Sequence, residues 1–275
     1  MVKKIVIACL LLIVIVNFAY RIDIKKTPHE LVDELMYFPS GFALRALSVG
    51  FRVPMADLVW LRFIQYYGEH RMTDARFELM YHILDILTNL DPKFLYAYTL
   101  GGLMLTHDAE RPDQAGDLLK KGMYLNPEEW RIPFIYAFVN YIFLKEYGTA
   151  QRYFRLATTK PDAPDMVKRW YAFITYLKIG DLKTSLALWM DLYNSTQNPE
   201  EKEIASIYIQ SIKMQMDIEF LSQKIQAFKQ ELGYPPSKIS DLLDAGLIKE
   251  LPVEPHGERY YIKGGKAHST WERGK

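Results

Sequence analysis

The sequence predicts an all-α chain of stacked helix pairs, preceded by an apolar N-terminal helix and closed by a small C-terminal module with two short strands. Three observations carry that expectation. Turn prolines recur at a fixed step, with Asn89-Leu90-Asp91-Pro92 followed by Leu125-Asn126-Pro127, so that Pro92 and Pro127 stand 35 residues apart. Small residues recur at 35 as well, at Ala115, Ala150 and Ser185, and so do the bulky residues one turn later, Leu119, Phe154 and Trp189. Gly68 and Gly102 keep nearly the same step, 34. A small residue where two helices cross, followed by a bulky one, is what close helix packing requires, and this period is that of a two-helix repeat unit. At 275 residues and 49% hydrophobic, the chain has ample material for a packed core.

The first element is an apolar run from Ile5 to Tyr20, broken only by Asn17 and bounded by Lys3, Lys4 and Arg21. As a helix it covers roughly 24 Å of a bilayer core near 30 Å, and Tyr20 with the flanking lysines can extend it by snorkelling. It reads as a single-pass anchor over residues 1–22. A cleaved signal peptide is the competing reading, disfavoured by Asn17 and Ala19, a poor match to the small residues that cleavage needs. Basic residues flank both ends about equally; the short N-terminal tail favours a body outside the cytoplasm, at a bacterial inner membrane. Residues 23–60 form a linker punctuated by Pro28, Pro39, Gly41, Gly50 and Pro54. Within it, Phe38 to Phe51 suits either a cap over the following domain or a membrane-surface segment with Arg45 and Arg52. Pro54 fits the first turn of a helix carrying Leu58, Leu61, Phe63 and Ile64 and ending near Gly68.

Residues 61–200 hold four units, about 61–94, 95–129, 130–165 and 166–199. On Tyr67-Gly68, Leu84 and Pro92 in the first, and Gly102, Ala115, Leu119 and Pro127 in the second, the block resembles the tetratricopeptide repeat family. Glu146-Tyr147, Ala150, Phe154, Ala157 and Pro161 continue the pattern in the third unit, and Gly180-Asp181-Leu182, Ser185 and Trp189 in the fourth. Met80 and Ser185 stand where the family has alanine. The resemblance implies an α-solenoid whose concave groove is lined by the first helix of each unit. Here that face selects Tyr96, Leu103, Ile132, Ile135, Val139, Ile142, Trp170, Ile174 and Leu177, with Arg62, Gln65, Glu69 and Thr99 toward its polar end. Such a strip suits an apolar or amphipathic helix of a protein partner. It lacks the basic clamp by which members of the family hold chaperone tails. The chain's own helix from Pro199 to Leu232, with its solenoid part at 201–232, is an equally good occupant through Ile204, Ile207, Ile212, Met216, Phe220, Ile225 and Phe228.

The tail, 233–275, differs in kind. Gly233 ends the long helix, Tyr234-Pro235-Pro236 forces an extended link, and Ser237 is placed to cap a short helix through Leu243 that stops at Gly246. Two short strands are expected around Gly264-Gly265. The Tyr-Pro-x-Ser start and the segment Leu251-Pro252-Val253-Glu254-Pro255-His256-Gly257 before Tyr260 resemble the C-terminal end of pilin-like and pseudopilin domains. Glu254 stands where aspartate is usual and His256 where an aromatic is common, so no calcium role is carried over. The N-terminus lacks the pilin processing pattern, and the tail reads as a cap or docking module.

A formal charge of +1 excludes long-range attraction of nucleic acid. The single cysteine, Cys9, permits no internal disulfide and cannot by itself build a thiolate metal site. The chain contains no H-E-x-x-H, phosphate loop or G-x-S-x-G and no paired Cys or His spacing suited to a metal; His70 with Asp74 and His107 with Asp108 are candidate neighbours, but two ligands do not make a closed site. Nineteen tyrosines and fourteen phenylalanines therefore read as core and interface residues. No cofactor, small-molecule substrate or enzymatic activity is expected. The expected function is a membrane-anchored scaffold that binds a protein partner. The alternative is an accessory subunit or assembly factor of a secretion, pilus or respiratory machine, docked through its transmembrane helix and C-terminal module.

Overall fold

The computed structural model describes residues 50–271 together with positions 17, 44, 45 and 48. The expected anchor, Asn17 apart, and most of the linker therefore lie outside the described residues. Among the described residues there are ten α-helices and one two-stranded sheet, and none of the helices is long and apolar enough to cross a membrane. The chain divides into two compact units, one ending at Pro127 and one beginning at Glu128, a division that falls inside the expected repeat block.

The first unit contains α1 (Arg52–Met72), α2 (Met80–Leu90), α3 (Leu95–His107) and α4 (Pro112–Leu125). Helix α1 starts and ends further out than Pro54 and Gly68 suggest. Its buried side is Ala56, Val59, Phe63, Tyr66 and His70, which repeats every three to four residues and packs on α2. Helix α2 is apolar on nearly every side, and Met80, Ile83, Leu84, Ile86, Leu87 and Leu90 are all buried. Glycines set the spacing of the helices. A Cβ on Gly101 would lie 2.7 Å from Leu84 Cδ1, one on Gly102 2.8 Å from Leu119 Cδ1, and one on Gly122 2.6 Å from Tyr98 Cδ1. The two repeated turns also touch: Asn126 Nδ2 donates to the Pro92 carbonyl at 2.8 Å and Lys93 Nζ to the Leu125 carbonyl at 3.1 Å. Lys121 Nζ ties α4 to α2, donating to Asp85 Oδ1 at 2.6 Å, Asn89 Oδ1 at 2.8 Å and Thr88 Oγ1 at 2.9 Å.

The second unit begins with α5 (Arg131–Val139), α6 (Tyr147–Thr158), α7 (Asp165–Ile174) and α8 (Leu182–Ser195), each packed on the next. Both α5 and α7 end in a π-helical turn, Asn140–Leu144 and Thr175–Ile179. Each turn closes on a left-handed residue, Lys145 at φ 60° and Gly180 at φ 78°. The two turns stand 35 residues apart and share one side-chain bond. Asn140 Nδ2 donates to the Tyr136 carbonyl at 2.7 Å, and Thr175 Oγ1 to the Tyr171 carbonyl at 2.8 Å. Ser185, at an alanine position of the repeat, is buried and donates to the Ala172 carbonyl at 3.0 Å. Around these turns the core is aromatic: Trp170 meets the rings of Phe134, Phe138, Tyr141, Phe154 and Phe173 within 6.5 Å, and lies nearly parallel to Phe154 at 5.7 Å.

Helix α9 (Pro199–Leu232) has the bounds its sequence announces. Asn198 caps it by accepting from the Glu200 N–H at 2.9 Å, Pro199 occupies its first position, and Gly233 leaves it at φ 80°. Its first half packs on α8 through Ala205 and Ile212. Its second half carries the C-terminal module: Leu221, Ile225 and Phe228 form one cluster with Ile239, Leu242, Ile248 and Ala267. That module holds α10 (Ser240–Asp244) and the antiparallel strands β1 (Tyr260–Lys263) and β2 (Lys266–Ser269), joined at Gly264-Gly265 with φ 59° and 74° as a tight hairpin turn demands. Ser237 does not cap α10. Instead Asp241 reaches back, its Oδ2 accepting from the Ser237 N–H at 2.8 Å and the Lys238 N–H at 3.1 Å. Glu254 organises the rest as a buried carboxylate accepting from the N–H groups of His256 at 2.7 Å and Glu258 at 3.0 Å and from Ser269 Oγ at 3.2 Å.

Candidate functional site

The second unit contains an apolar cleft of about 250 Å³ where α7, α8 and α9 meet. Arg169, Trp170 and Phe173 line it from α7, Trp189 from α8, and Ile204 and Tyr208 from α9. These spacings of three and four residues place each contribution on one helix face. Trp189 and Tyr208 stack face to face, with centroids 4.4 Å apart and planes 4° from parallel, and Phe173 meets Tyr208 edge-on at 6.1 Å. Five of the six walls are apolar or aromatic. The polar exception is Arg169, whose Nη1 pairs with Glu201 Oε1 at 3.0 Å. Glu201 is buried in the first turn of α9, where the helix dipole favours a carboxylate. Its Oε2 and the indole Nε1 of Trp189 are buried without hydrogen-bond partners in the described structure. Rigid aromatic walls with one ion pair at the side suit an apolar group of side-chain size.

Seven of the nine residues expected to line the groove belong to the second unit, and they do not form one surface. Ile132, Val139 and Ile174 are buried and offer a partner nothing, which corrects their assignment to a groove. Helix α5 is apolar almost throughout, through Ile132, Phe134, Ile135, Phe138 and Val139. A face selected by spacing alone can therefore turn inward. Ile174 joins Ala137, Ala150 and Phe154 in one core cluster. Ile135 is half-buried. Ile142 is half-buried and Leu177 exposed, both inside the π-helical turns, whose wider winding rotates them off a face drawn at 3.6 residues per turn. Trp170 alone lines the cleft. In the first unit Tyr96 is exposed and Leu103 half-buried.

The cleft residues missed by the projection are Arg169, Phe173, Trp189, Ile204 and Tyr208. The period marks Trp189 as a packing residue, and Ile204 belongs to a helix read as a cover. The one linear signal that could have marked this wall is the three-residue step from Trp170 to Phe173. Helix α9 therefore occupies part of the space allotted to a partner and lends two side chains to what is left.

The titratable pairs also form. His70 Nδ1 lies 2.7 Å from Asp74 Oδ1, and His107 Nδ1 2.9 Å from Asp108 Oδ1. His70 is buried against the Tyr66 ring at 4.4 Å. Asp108 accepts from Tyr67 Oη at 2.9 Å and Arg71 Nη1 at 2.8 Å, which makes it a structural anchor between α1 and the end of α3. Among the described residues no three His, Cys, Asp or Glu side chains stand where they can hold a metal ion. No protein-family model matches the chain, and no curated protein matches it significantly.

Proposed function

We propose that the chain is a non-enzymatic scaffold of the helical-repeat type, held at a membrane by its apolar N-terminal run, that captures one apolar side chain of a partner helix in the α7–α8–α9 cleft. The observation that carries this reading is the cleft itself: four aromatic side chains and Ile204 enclose about 250 Å³ beside a fixed ion pair. A partner residue entering it is desolvated on several sides at once, which is how interface anchors acquire their energy. The 35-residue recurrence of helix starts at Pro112, Tyr147 and Leu182 supports the repeat reading. Attachment to a membrane raises the partner's effective concentration when both share it.

The test compares the full-length protein and Ile204→Glu in affinity capture from membranes under mild detergent. A carboxylate at this half-buried wall position cannot be solvated when a partner closes the cleft. Capture of any specific partner is expected to fall at least about tenfold, the equivalent of ~1.4 kcal/mol, with far-ultraviolet circular dichroism unchanged. Equal capture by both proteins rejects the cleft.

A second reading, an accessory subunit docked through the C-terminal module, is favoured by exposed apolar side chains of that module. Val253 is 87% exposed, and Leu251 and Tyr261 are exposed on the same module. Deleting 233–275 is a poor test, because it strips the cover from Leu221, Ile225 and Phe228. Val253→Asp leaves that core intact. Loss of association with Val253→Asp but not with Ile204→Glu selects this reading over the first.

A further inference from the structure

Helix α1 is apolar on two opposite sides, and only one is used by its own unit. Opposite the buried side run Phe51, Pro54, Leu58, Leu61, Gln65, Gly68 and Met72, at intervals of three and four in strict alternation. Leu58 is 56% exposed, Leu61 59% and Met72 87%. No atom lies within 4 Å of a Cβ built on Gly68. This spacing over three heptads is the seam of a two-stranded coiled coil. Of the seam positions that follow Leu61, Gln65 is polar, Gly68 small and Met72 apolar, and a single Gln65 at a seam position fixes register at some cost in affinity.

The flanking charges say what partner fits. Asp57 precedes the seam residue Leu58, Arg62 follows Leu61, and both are exposed. In heptad terms they stand five residues apart at the two edges of the seam. When two copies of α1 run parallel and in register, that spacing places Asp57 of each copy opposite Arg62 of the other, forming two symmetric ion pairs. An antiparallel pairing about the helix middle brings the two Arg62 side chains together instead. The seam is therefore complementary to itself in one orientation. That orientation also starts both copies' apolar runs, Ile5 to Tyr20, from the same end, as two anchors in one membrane require.

We propose that the outer face of α1 is the interface of a parallel homodimer, with Leu58 and Leu61 at its centre and Asp57–Arg62 pairs across it. The contact is short, so dimerisation depends on the concentration that membrane attachment provides.

The experiment uses the full chain in liposomes, with Cys9→Ser removing the sole cysteine and Gln65→Cys placing a thiol on the seam. Mild oxidation is expected to yield a disulfide-linked dimer. A thiol at the exposed Tyr124 of α4, Tyr124→Cys, should cross-link at least about tenfold less. Asp57→Arg turns both attractions into repulsions and is expected to lower cross-linking at position 65 by roughly tenfold. Adding Arg62→Asp restores it. Several results overturn the proposal: equal cross-linking at 65 and 124, no recovery in the double charge swap, quenching of a fluorophore attached at 65 by spin-labelled lipid, or a disulfide from position 65 to a second cysteine introduced within residues 23–49 of the same chain. The last two assign the face to the bilayer or to the chain's own linker.

Discussion

The two units solve one problem with opposite materials. In the first, helices approach through missing side chains: Gly101, Gly102 and Gly122 let Leu84, Leu119 and Tyr98 lie against bare backbone. In the second, the 35-residue step places alanines where the first has glycine, Ala137 and Ala172 for Gly102 and Ala157 for Gly122, and rings around Trp170 and Trp189 fill the core. Aliphatic side chains on glycine interdigitate closely, whereas rigid rings meeting edge-to-face tile space imperfectly. The second solution leaves a cleft of about 250 Å³ between its rings. The packing material thus decides where a cleft is left open, although the 35-residue step runs through both units.

The largest effect should come from removing a ring. Trp189→Ala deletes the stacking partner of Tyr208 and the floor of the cleft, and such truncations cost about 3–5 kcal/mol. Trp170→Ala belongs in the same class because five rings surround it. Neither variant is a clean probe of binding, and both should lower the denaturant midpoint well before any partner is added. If either leaves chemical denaturation unchanged, the rings do not carry the second unit's core. In the first unit the corresponding break is an addition. Gly122→Ala drives a methyl to 2.6 Å from the buried Tyr98 ring, which has nowhere to rotate, and overpacking of this kind costs about 1–3 kcal/mol. An unchanged denaturant midpoint for this variant would show that the first unit is not glycine-limited.

This contrast explains what could be read from the chain. Local grammar was legible: the turn prolines, the small-then-bulky step, Pro199 and Gly233 bounding α9, and Gly264-Gly265 closing the hairpin all act within a few residues of themselves. The site was not, for two physical reasons. Projection of a face assumes constant winding, and the π-helical turns at 140–144 and 175–179 break it under Ile142 and Leu177. Helices apolar on several sides, such as α5, also give no sign of which side is covered, so Ile132 and Val139 were placed on a surface they do not reach. Tyr208 joins Trp170 and Phe173 in the cleft only through the tertiary path of α9, and no linear spacing connects them.

The C-terminal module packs on α9 through a mainly aliphatic cluster, and a buried carboxylate organises the segment before its hairpin, which makes its stability depend on pH. Burial pushes the Glu254 carboxyl up, yet the bonds from His256, Glu258 and Ser269 overcome it and hold the group below its ordinary value of about 4.3. A carboxylate depressed in the folded state stabilises above its unfolded value and loses that contribution as pH falls through the folded one. Asp217, raised by burial although Tyr260 donates to it, has the opposite sign and gains stability as pH falls. Glu254→Gln is therefore expected to lower Tm at neutral pH and to flatten its decline below about pH 4. Parallel acid curves for the two proteins would remove Glu254 from this role.

The smallest expected effect sharpens the comparison because it has the opposite sign. Gly148 lies in α6 of the second unit, and a Cβ built on it meets nothing within 4 Å, unlike the three glycines of the first unit. Its helical backbone needs no positive φ. Gly148→Ala therefore adds a methyl to open space and removes conformational freedom from the unfolded chain, a gain of up to about 1 kcal/mol that shrinks near a helix start. The same substitution at Gly122 destabilises. Chemical denaturation of the pair should move the midpoints in opposite directions. Movement in the same direction would mean that helix propensity, and not the closeness of neighbouring helices, governs glycine in both units, and the distinction between the two packing solutions would fail.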